Sequence, residues 1–509
     1  MSKLLTLTTF LPLLGAVMVL AGGRGLKDTP ARWLALAVSL ATFIVSLIVL
    51  GRFDPARSSF QLVEEARWVE SVGLTYTIGV DGVSIWMVLL TTFLFPISIL
   101  ASWPITTNVR RYLAAMLVLE TAVLGTFVSL DLLLFFLFFE ALLVPMYLLI
   151  GGWGGRRRIY AAIKFFLFTM AGSAFLLVAI LVLYAHGGAE SFRYDQIVGY
   201  AADLPVTTAR WLFLAFFVAF AVKVPLVPLH TWLPDAHTEA PTAGSVLLAA
   251  LLLKVGTYGL IRFNLVLFPE ASKYFATFVG IVAVIGIIYG AVNALVQTDI
   301  KRLVAYSSVS HLGFVVLGVF AFTQQAVTGG VLQMVNHGLA TGALFLLVGM
   351  VYERTHTREL GEMGGLASVM PWLMGAFLFT VFASAGLPGL NGFVGEFLVV
   401  IGTFAVSSWF GALAATAVVL AAIYLLWSYQ RMALGPVREE HRLLPDLSVR
   451  EVVVLAPVLA LLLVFGVAPS LLTDRIDPTT EAVITRVDPS HRTDVGSTTA
   501  QEASPLETP

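Results

Sequence analysis

Cysteine is absent from this 509-residue chain, and charged residues make up only 12% of it. Without cysteine the chain can form no disulfide, no thiolate-ligated iron-sulfur cluster and no cysteine nucleophile. The scarcity of charge, together with 58% hydrophobic residues and a mean hydropathy of +0.91, excludes an ordinary soluble protein. We therefore expect a multispanning membrane protein, and any redox centre that it serves should lie in another chain.

Apolar runs long enough to cross a bilayer, about 20 residues each, recur along the whole sequence. The pattern predicts an all-α polytopic membrane protein with about fourteen transmembrane helices. The expected spans are 3–22, 33–51, 79–103, 112–130, 132–151, 161–185, 210–230, 242–262, 274–296, 303–322, 328–352, 372–402, 408–430 and 451–471.

Short basic loops alternate with loops that are poor in lysine and arginine. Because these residues are retained on the cytoplasmic side, their distribution predicts that both termini lie on the outer side of the membrane. The basic positions are Arg24, Lys27, Arg32, Arg110, Arg111, Arg156, Arg157, Arg158, Lys301, Arg302, Arg354, Arg358, Arg431, Arg438, Arg442 and Arg450. The first span has no convincing small-residue cleavage site, so we interpret it as a retained helix rather than a signal peptide.

The stretch AFAVKVPLVPLHTWLPDAHTEAP, residues 219–241, combines a charge with helix breakers inside an apolar run. Pro225 and Pro228 should interrupt the helix just after Lys223, because proline removes a backbone donor and clashes with the preceding turn. An ionisable residue at membrane depth costs about 3 kcal/mol on insertion scales and typically marks an ion path. The alternative is a kinked packing helix whose Lys223 reaches a lipid headgroup.

Three further charges lie well inside predicted spans. Glu140 stands in the run DLLLFFLFFEALL, Lys254 is near the midpoint of the eighth span, and Glu396 follows a cluster of helix breakers in the twelfth. A carboxylate in this medium must be paired or protonated, and Lys223 is the natural partner of Glu140. A satisfied structural carboxylate remains the alternative for Glu140.

Three polar positions near the ends of spans are open to both a structural and a functional interpretation. Glu120 and Asp131 lie nearer the ends of their spans than Glu140 does. Lys164 lies one or two turns inside its span, so it is expected either to extend to the surface or to mark a point of proton entry.

Imidazoles and small polar side chains occur in the broken seventh span and in the tenth and eleventh spans. The histidines are His230, His311 and His337. Their polar neighbours are Ser307, Ser308, Ser310, Gln333 and Asn336. One histidine in a helix bundle usually makes an interhelical hydrogen bond. Several histidines beside a central lysine favour a hydrated proton path, because imidazole exchanges protons near neutral pH.

The twelfth span repeats the interruption seen in the seventh. Aligning VPLVPLH with LPGLNGF superposes Pro225 on Pro388, five spans apart, and suggests an internal inverted repeat. The expected units are 1–111 (helices 1–3), 112–262 (first repeat, helices 4–8), 274–430 (second, inverted repeat, helices 9–13), 431–471 (last span) and 472–509. The last unit is polar and is expected to be disordered outside the membrane.

Five motifs resemble the antiporter-like membrane subunits of respiratory complex I, and most of all the subunit M branch. They are LFFEALLVPMYLLIGGWGG, the stretch from AFAVKVPLVPLHTWLPDAHTEAP to KVGTYGLIR, QTDIKRLVAYSSVSHLGF, MVNHGLATGALFLLVGM and GLPGLNGFVGEF. The resemblance covers residues from about 80 to about 430. It implies fourteen helices with inverted five-helix repeats at spans 4–8 and 9–13.

The resemblance also implies a function and roles for the buried residues. It implies a subunit that translocates protons, driven by NADH oxidation and quinone reduction in partner subunits that hold FMN, iron-sulfur clusters and quinone. Glu140 and Lys223 would be a gating ion pair, Lys254 the central relay and Glu396 the proton-loading group. His230, His311 and His337 would connect these groups.

The expected partners and location follow from the same resemblance. The partners would be other membrane subunits, especially the antiporter-like subunits L and N, together with the lipid bilayer and no nucleic acid. The location would be the bacterial inner membrane.

Related complexes leave other functions open. The D subunit of multisubunit sodium/proton antiporters resembles this chain, but it and subunits L and N usually carry lysine where this chain has Glu396. A membrane subunit of an energy-converting hydrogenase is a second alternative. A structural spacer of the membrane arm is a third, and its buried charges could be neutralised without functional loss.

Overall fold

The computed structural model describes residues 3–22 and 27–489. Within these ranges, thirteen helical stretches are long and apolar enough to span a membrane, which confirms the predicted polytopic helical fold. The count of fourteen spans stays a prediction, because the twelfth expected span consists of two shorter apolar helices, Pro371–Ser384 and Asn391–Val406. Arg24, one of the basic positions that predicted the orientation, lies outside the described residues.

The chain forms a succession of helices that a single pair of strands interrupts. The elements up to residue 265 are α1 (Leu4–Ala21), α2 (Asp28–Gly51), β1 (Gln61–Val69), β2 (Leu74–Val80), α3 (Ser84–Ala101), α4 (Val109–Val128), α5 (Leu132–Ala141), α6 (Leu143–Trp153), α7 (Arg158–His186), α8 (Tyr194–Ala202), α9 (Val206–Lys223), α10 (Trp232–Glu239), α11 (Thr242–Leu247), a π-helical turn (Leu248–Leu252), α12 (Leu253–Gly259) and a second π-helical turn (Leu260–Leu265). The later elements are α13 (Pro269–Leu295), α14 (Ile300–Val319), α15 (Gln324–Thr355), α16 (Leu366–Val369), α17 (Pro371–Ser384), α18 (Asn391–Val406), α19 (Ser408–Ala433), α20 (Val449–Val467) and α21 (Ser470–Val487). Single 3₁₀ turns occur at Glu70–Val72, Leu360–Glu362 and Glu439–His441.

Two stretches form the centre of the bundle. The span Thr242–Leu265 and the helix α15 are completely buried across their membrane-length windows, whereas only about a third of the corresponding windows of α2, α19 and α20 is buried. Lipid tails are as apolar as leucine, so exposed apolar side chains on the outer helices are stable there, while polar groups are kept inside. The central stretches are therefore the ones that can hold a row of ionisable side chains.

The two interrupted spans break where the helix breakers predict. Helix α9 ends at Lys223, and the freed carbonyl of Val222 accepts a hydrogen bond of 2.9 Å from the indole nitrogen of Trp232. Between α17 and α18 the chain turns through Gly386 and Gly389, whose φ angles of +77° and +92° suit glycine. Protein groups thus satisfy the first break, as the membrane interior demands.

Two other irregularities were not predicted from the sequence. The helical hydrogen bonding of the fifth span is interrupted at Leu142, between α5 and α6, because Pro145 cannot donate a hydrogen bond to the carbonyl of Ala141. The eighth span contains the two π-helical turns, one on each side of α12. Such turns widen a helix locally and occur frequently at functional sites.

The polar connection between the second and third spans contains a β-hairpin. Strands β1 and β2 pair antiparallel, and Glu64 in β1 accepts hydrogen bonds from the backbone of Leu5 and Thr6 at 2.8 and 3.1 Å. Asp131 caps α5 and accepts from the backbone nitrogen of Thr75 in β2 at 3.0 Å. Burial raises the pKa of Asp131, and its hydrogen bonds offset part of this effect. Asp131 thus joins the hairpin to the start of a span.

The expectation that residues 472–509 are disordered is wrong for the part that the structure describes. Helix α21 covers nearly all of it and buries one face, formed by Leu472, Ile476, Val483, Ile484 and Val487. The polar side chains of Gln324 and Thr480 hydrogen-bond at 2.9 Å across the contact with α15. The apolar residues of α21 are separated by threonines and charges, so their helical spacing is weak in the sequence. Residues 490–509 lie outside the described residues.

Candidate functional site

Lys254 occupies the predicted position at the centre of the eighth span and is fully buried. Its Nζ atom donates a hydrogen bond of 2.6 Å to the carbonyl of Ala249, which lies within the π-helical turn before α12. Nζ also lies 2.5 Å from Nδ1 of His337 on α15. The π-helical turn therefore supplies an acceptor for a buried ammonium group, and α15 supplies an imidazole.

His311 and Glu396 form a second buried pair. Nδ1 of His311 on α14 lies 2.6 Å from Oε1 of Glu396 on α18. The same carboxylate oxygen accepts a hydrogen bond of 2.9 Å from the side-chain amide of Gln333. On the other side of the imidazole, the hydroxyl of Tyr424 lies 3.4 Å from Nε2 of His311. Glu396 is thus held by partners from two helices.

The two pairs meet at the histidines. The ring centroids of His311 and His337 are 5.7 Å apart, and Nε2 of His337 is buried without a hydrogen-bond partner. We call the sequence Lys254, His337, His311 and Glu396 the polar row. Transfer of a proton between the two imidazoles requires a ring rotation or an intervening water at this separation. Four of the seven predicted site residues are therefore brought together in one continuous arrangement.

Glu140 and Lys223 are near each other but are not in direct contact. Their charges are close enough to interact, yet no salt bridge joins them in the part of the chain that the structure describes. Nζ of Lys223 has no hydrogen-bond partner and lies 4.8 Å from the ring centroid of Phe139. Ser173 lies beside the Glu140 carboxylate, whose Oε1 is also unpaired. The predicted gating pair stays a prediction, and the structure holds its two members apart.

His230 is near Tyr289 and Lys164 and is not joined to the polar row in the part of the chain that the structure describes. Its ring contacts Tyr289 edge-on at 5.0 Å, and its Nδ1 is unpaired. Lys164 forms a salt bridge of 2.7 Å with Asp235. Among the described residues, neither His230 nor Lys164 hydrogen-bonds to a member of the polar row.

Glu120, which the sequence left open, is fully buried and is bound by a hydroxyl group. Ser39 on α2 donates to the two carboxylate oxygens at 3.1 and 3.0 Å. Glu120 therefore ties α4 to an outer helix and lies apart from the polar row.

Sequence reasoning did not select two polar features as sites. His237 on α10 is fully buried, stacks on Phe345 at 4.6 Å and leaves both ring nitrogens unpaired. Asp81 and Arg262 form a buried salt bridge between the start of α3 and the end of the eighth span. The sequence feature that could have indicated this salt bridge is a charged residue at the edge of an apolar run. No group of three or more metal-ligating side chains occurs within residues 3–22 and 27–489.

Comparison with known families gives a match over more than half of the chain. The family described as NADH:quinone oxidoreductase/Mrp antiporter, TM matches residues 129–421. This range contains all seven predicted site residues.

Curated relatives resemble the chain over nearly its whole length. "NADH-quinone oxidoreductase subunit M" of Rhodobacter capsulatus is 48% identical, with 94% of this chain and 96% of that protein covered. The protein of the same name from Rickettsia prowazekii is 42% identical, with 92% and 96% covered. The one from Mycobacterium tuberculosis is 41% identical, with 95% and 94% covered.

Solved structures agree with the helical architecture. A chain of "Respiratory complex I from Thermus thermophilus with bound NADH" superposes with a TM-score of 0.87 at 32% identity, covering 95% of this chain and 99% of that one. A chain of the archaeal membrane-bound sulfane sulfur reductase superposes with a TM-score of 0.83 at 22% identity, covering 92% and 76%. The second similarity concerns the fold alone.

Proposed function

The chain belongs to the family of NADH-quinone oxidoreductase subunit M, and from this membership we propose that its protons move along the polar row. It is a proton-translocating membrane-arm subunit of respiratory complex I. The observation that carries the proposal is the continuity of Lys254, His337, His311 and Glu396, two of whose three steps are contacts of 2.5 and 2.6 Å. These contacts are short enough for proton transfer between the paired groups.

Repulsion between like charges gives the row its tendency to pass a proton onward. If Lys254 and His337 were both protonated, two positive charges would lie 2.5 Å apart in a buried site. At 4 Å such a repulsion is already about 4 kcal/mol for an effective dielectric of 20. The pair therefore holds one positive charge, and the arrival of a second proton displaces the first toward His311.

Glu396 is the terminal base of the row in this proposal. Its carboxylate can accept the proton that His311 releases across their contact of 2.6 Å. A Cβ built on Gly386, in the break between α17 and α18, would lie 3.5 Å from Oε2 of Glu396. The carboxylate therefore adjoins the irregular segment, where backbone groups can line a water-filled exit.

Glu140, Lys223 and His230 serve the entry side. When Lys223 is close to Glu140 its ammonium form is stabilised, and when the two separate this stabilisation is lost, so that the proton can pass toward Lys254. The unpaired Nζ of Lys223 and Oε1 of Glu140 support the separated arrangement as one state of this gate. Moving one charge across the membrane costs about 2.3 kcal/mol per 100 mV, so the gate must be driven by a downhill reaction.

In our proposal that reaction occurs elsewhere in the complex. Other subunits of complex I are partners of this chain. The iron-sulfur clusters would be held by those partners, since this sequence offers no cysteine to ligate them. FMN and quinone are proposed to lie in the same partner subunits. Subunits L and N are the proposed neighbours.

The proposed setting is the bacterial inner membrane, with both termini on the outer side. Arg157, Lys301 and Arg358 support this orientation, because all three contact the segment 238–240 and so gather at one end of the bundle. The breaks after α9 and α17 support inverted repeats over spans 4–8 and 9–13.

The substitution Glu396→Gln tests the polar row. It removes the titrating group and keeps a side chain of similar size, so we expect NADH-driven proton uptake by inverted membrane vesicles to fall to about a tenth or less. The matched control is Glu270→Gln, which changes an exposed glutamate at the start of α13. Normal uptake in an assembled Glu396→Gln complex would contradict the proposed role of Glu396.

A further inference from the structure

A long apolar groove runs along the outside of the bundle between α2, α3 and α20. It consists of two cavities of about 410 and 700 Å³, and Phe43, Phe93 and Pro457 line both of them. Along α2 the groove extends from Trp33 to Leu50. At a rise of 1.5 Å per residue this is about 25 Å, most of the hydrocarbon thickness of about 30 Å. The groove therefore crosses nearly the whole apolar layer.

The larger cavity opens at the end of the bundle where α2 begins, α3 ends and α20 begins. Trp33 and Trp103 line it and contact each other edge-on at 5.1 Å, as aromatic residues do at a membrane interface. Pro457 lies inside α20 and Pro96 inside α3, where each interrupts a helical hydrogen bond. This is the end that carries the short basic loops.

Two arginines stand at this opening. Nη2 of Arg32 donates to the carbonyl of Ile105 at 2.6 Å, its guanidinium lies 5.6 Å from the Trp103 ring, and no carboxylate partner for it occurs among the described residues. Arg450 lines the cavity itself and forms a salt bridge of 3.7 Å with Glu353. The two arginines and this glutamate leave one excess positive charge at the opening, directly above an apolar cleft.

We propose that this groove binds an anionic phospholipid, with the phosphate held by Arg32 and Arg450 and an acyl chain in the 700 Å³ cavity. Basic openings between transmembrane helices recognise anionic headgroups, and the cytoplasmic leaflet is the anionic one. Apart from Arg450, apolar side chains line the cleft and match a hydrocarbon chain, and the tryptophan pair matches the boundary between chain and headgroup.

The first experiment places a photoreactive benzophenone amino acid at Leu40, which lines the cavity and is 43% exposed. The intact complex is purified from membranes, irradiated and analysed by mass spectrometry. We expect a covalent adduct with a phospholipid. An adduct with a neighbouring subunit would overturn the proposal and identify the groove as a protein interface.

The second experiment tests the recognition of charge. The delipidated complex is titrated with phosphatidylglycerol or phosphatidylcholine, and lipid retention is measured. We expect phosphatidylglycerol to be retained preferentially, and Arg32→Gln and Arg450→Gln to weaken its retention about fivefold each. Equal retention of the two lipids would overturn the assignment of the headgroup site.

A pair of neighbouring variants tests the acyl site. Val453→Trp fills the cavity from α20, whereas Val452→Trp adds the same bulk to an exposed position that does not line it. We expect Val453→Trp to abolish retention of phosphatidylglycerol and Val452→Trp to leave it unchanged. Equal effects of the two substitutions would overturn the assignment of the groove.

Discussion

The two lysines and two glutamates of the proposed proton path each lie next to an irregularity of their own helix. Lys254 follows a π-helical turn, and Lys223 is the last residue of α9. Glu396 follows the break between α17 and α18, and Glu140 precedes the interruption at Leu142. An irregular turn exposes backbone groups that a regular helix would pair internally, and these groups make the site more polar.

The buried pair of Asp81 and Arg262 is expected to stabilise the complex without taking part in transport. Both side chains are almost fully buried, so Asp81→Asn would leave the arginine charge unpaired at a cost of about 3–5 kcal/mol. We predict a lower melting temperature for the purified complex. The double variant Asp81→Asn with Arg262→Gln removes both charges and should recover part of the loss. A single variant as stable as the parent would contradict this account.

The individual charged residues could be predicted because each interrupts an apolar run. Their partners could not be predicted in the same way. Lys254 and His337 are 83 residues apart in the chain, and their contact depends on how α12 packs against α15. The hydrogen bond between Ser39 and Glu120 and the salt bridge between Asp81 and Arg262 are likewise long-range contacts. Pairing is decided by packing, which a local pattern does not contain.

At the scale of the helices, α15 and α18 approach closely at Gly395, beside Glu396. A Cβ built on Gly395 would lie 2.6 Å from Oε1 of Gln333 and 3.1 Å from its Cα. Substitution by alanine should therefore push the two helices apart and disturb the hydrogen bond from Gln333 to Glu396.

We predict that Gly395→Ala lowers proton uptake several-fold, because the added methyl group has a steric cost of roughly 1–3 kcal/mol at this contact. Gly375→Ala in α17 is the matched control, because nothing lies within 4 Å of its added Cβ and alanine favours the helix. Proton uptake of inverted vesicles is measured for both assembled complexes. Equal uptake in the two variants would show that the close approach at Gly395 is unimportant.

Irregular elements could be predicted from the sequence only where proline or glycine occurs in them. The breaks at Pro225 and near Pro388 were predicted, because those residues leave a local signal. The π-helical turn at Leu248–Leu252 has the sequence LAALL, which suits a regular helix equally well. Its position is fixed by the surrounding packing. Helix α21 escaped prediction because its buried face alternates with polar residues.

At the scale of the whole molecule, α21 holds distant parts of the chain together. Thr479 accepts a hydrogen bond from the backbone of Gly82 at 3.1 Å, and Arg486 donates to the carbonyl of Val266 at 2.8 Å. The helix therefore connects the start of α3 with the end of the eighth span.

We predict that ending the chain after Pro469 reduces assembly of the complex. Each buried aliphatic side chain of α21 contributes at most roughly 1.5–3 kcal/mol to the stability of the fold, and the truncation removes all of these contributions. A chain that ends after Pro489 retains α21 and is the control. The assembled fraction is measured on native gels. Equal assembly of the two shortened chains would contradict the structural role of α21.

The central claim is that the buried polar row of this subunit carries protons driven by NADH oxidation. The most direct test is NADH-driven proton uptake by inverted membrane vesicles carrying Lys254→Met, with assembly of the complex verified. Lys273→Met, at a partly exposed lysine of α13, is the matched control. The account predicts that uptake falls about tenfold or more with Lys254→Met and is unchanged in the control. Full uptake in an assembled Lys254→Met complex would contradict it.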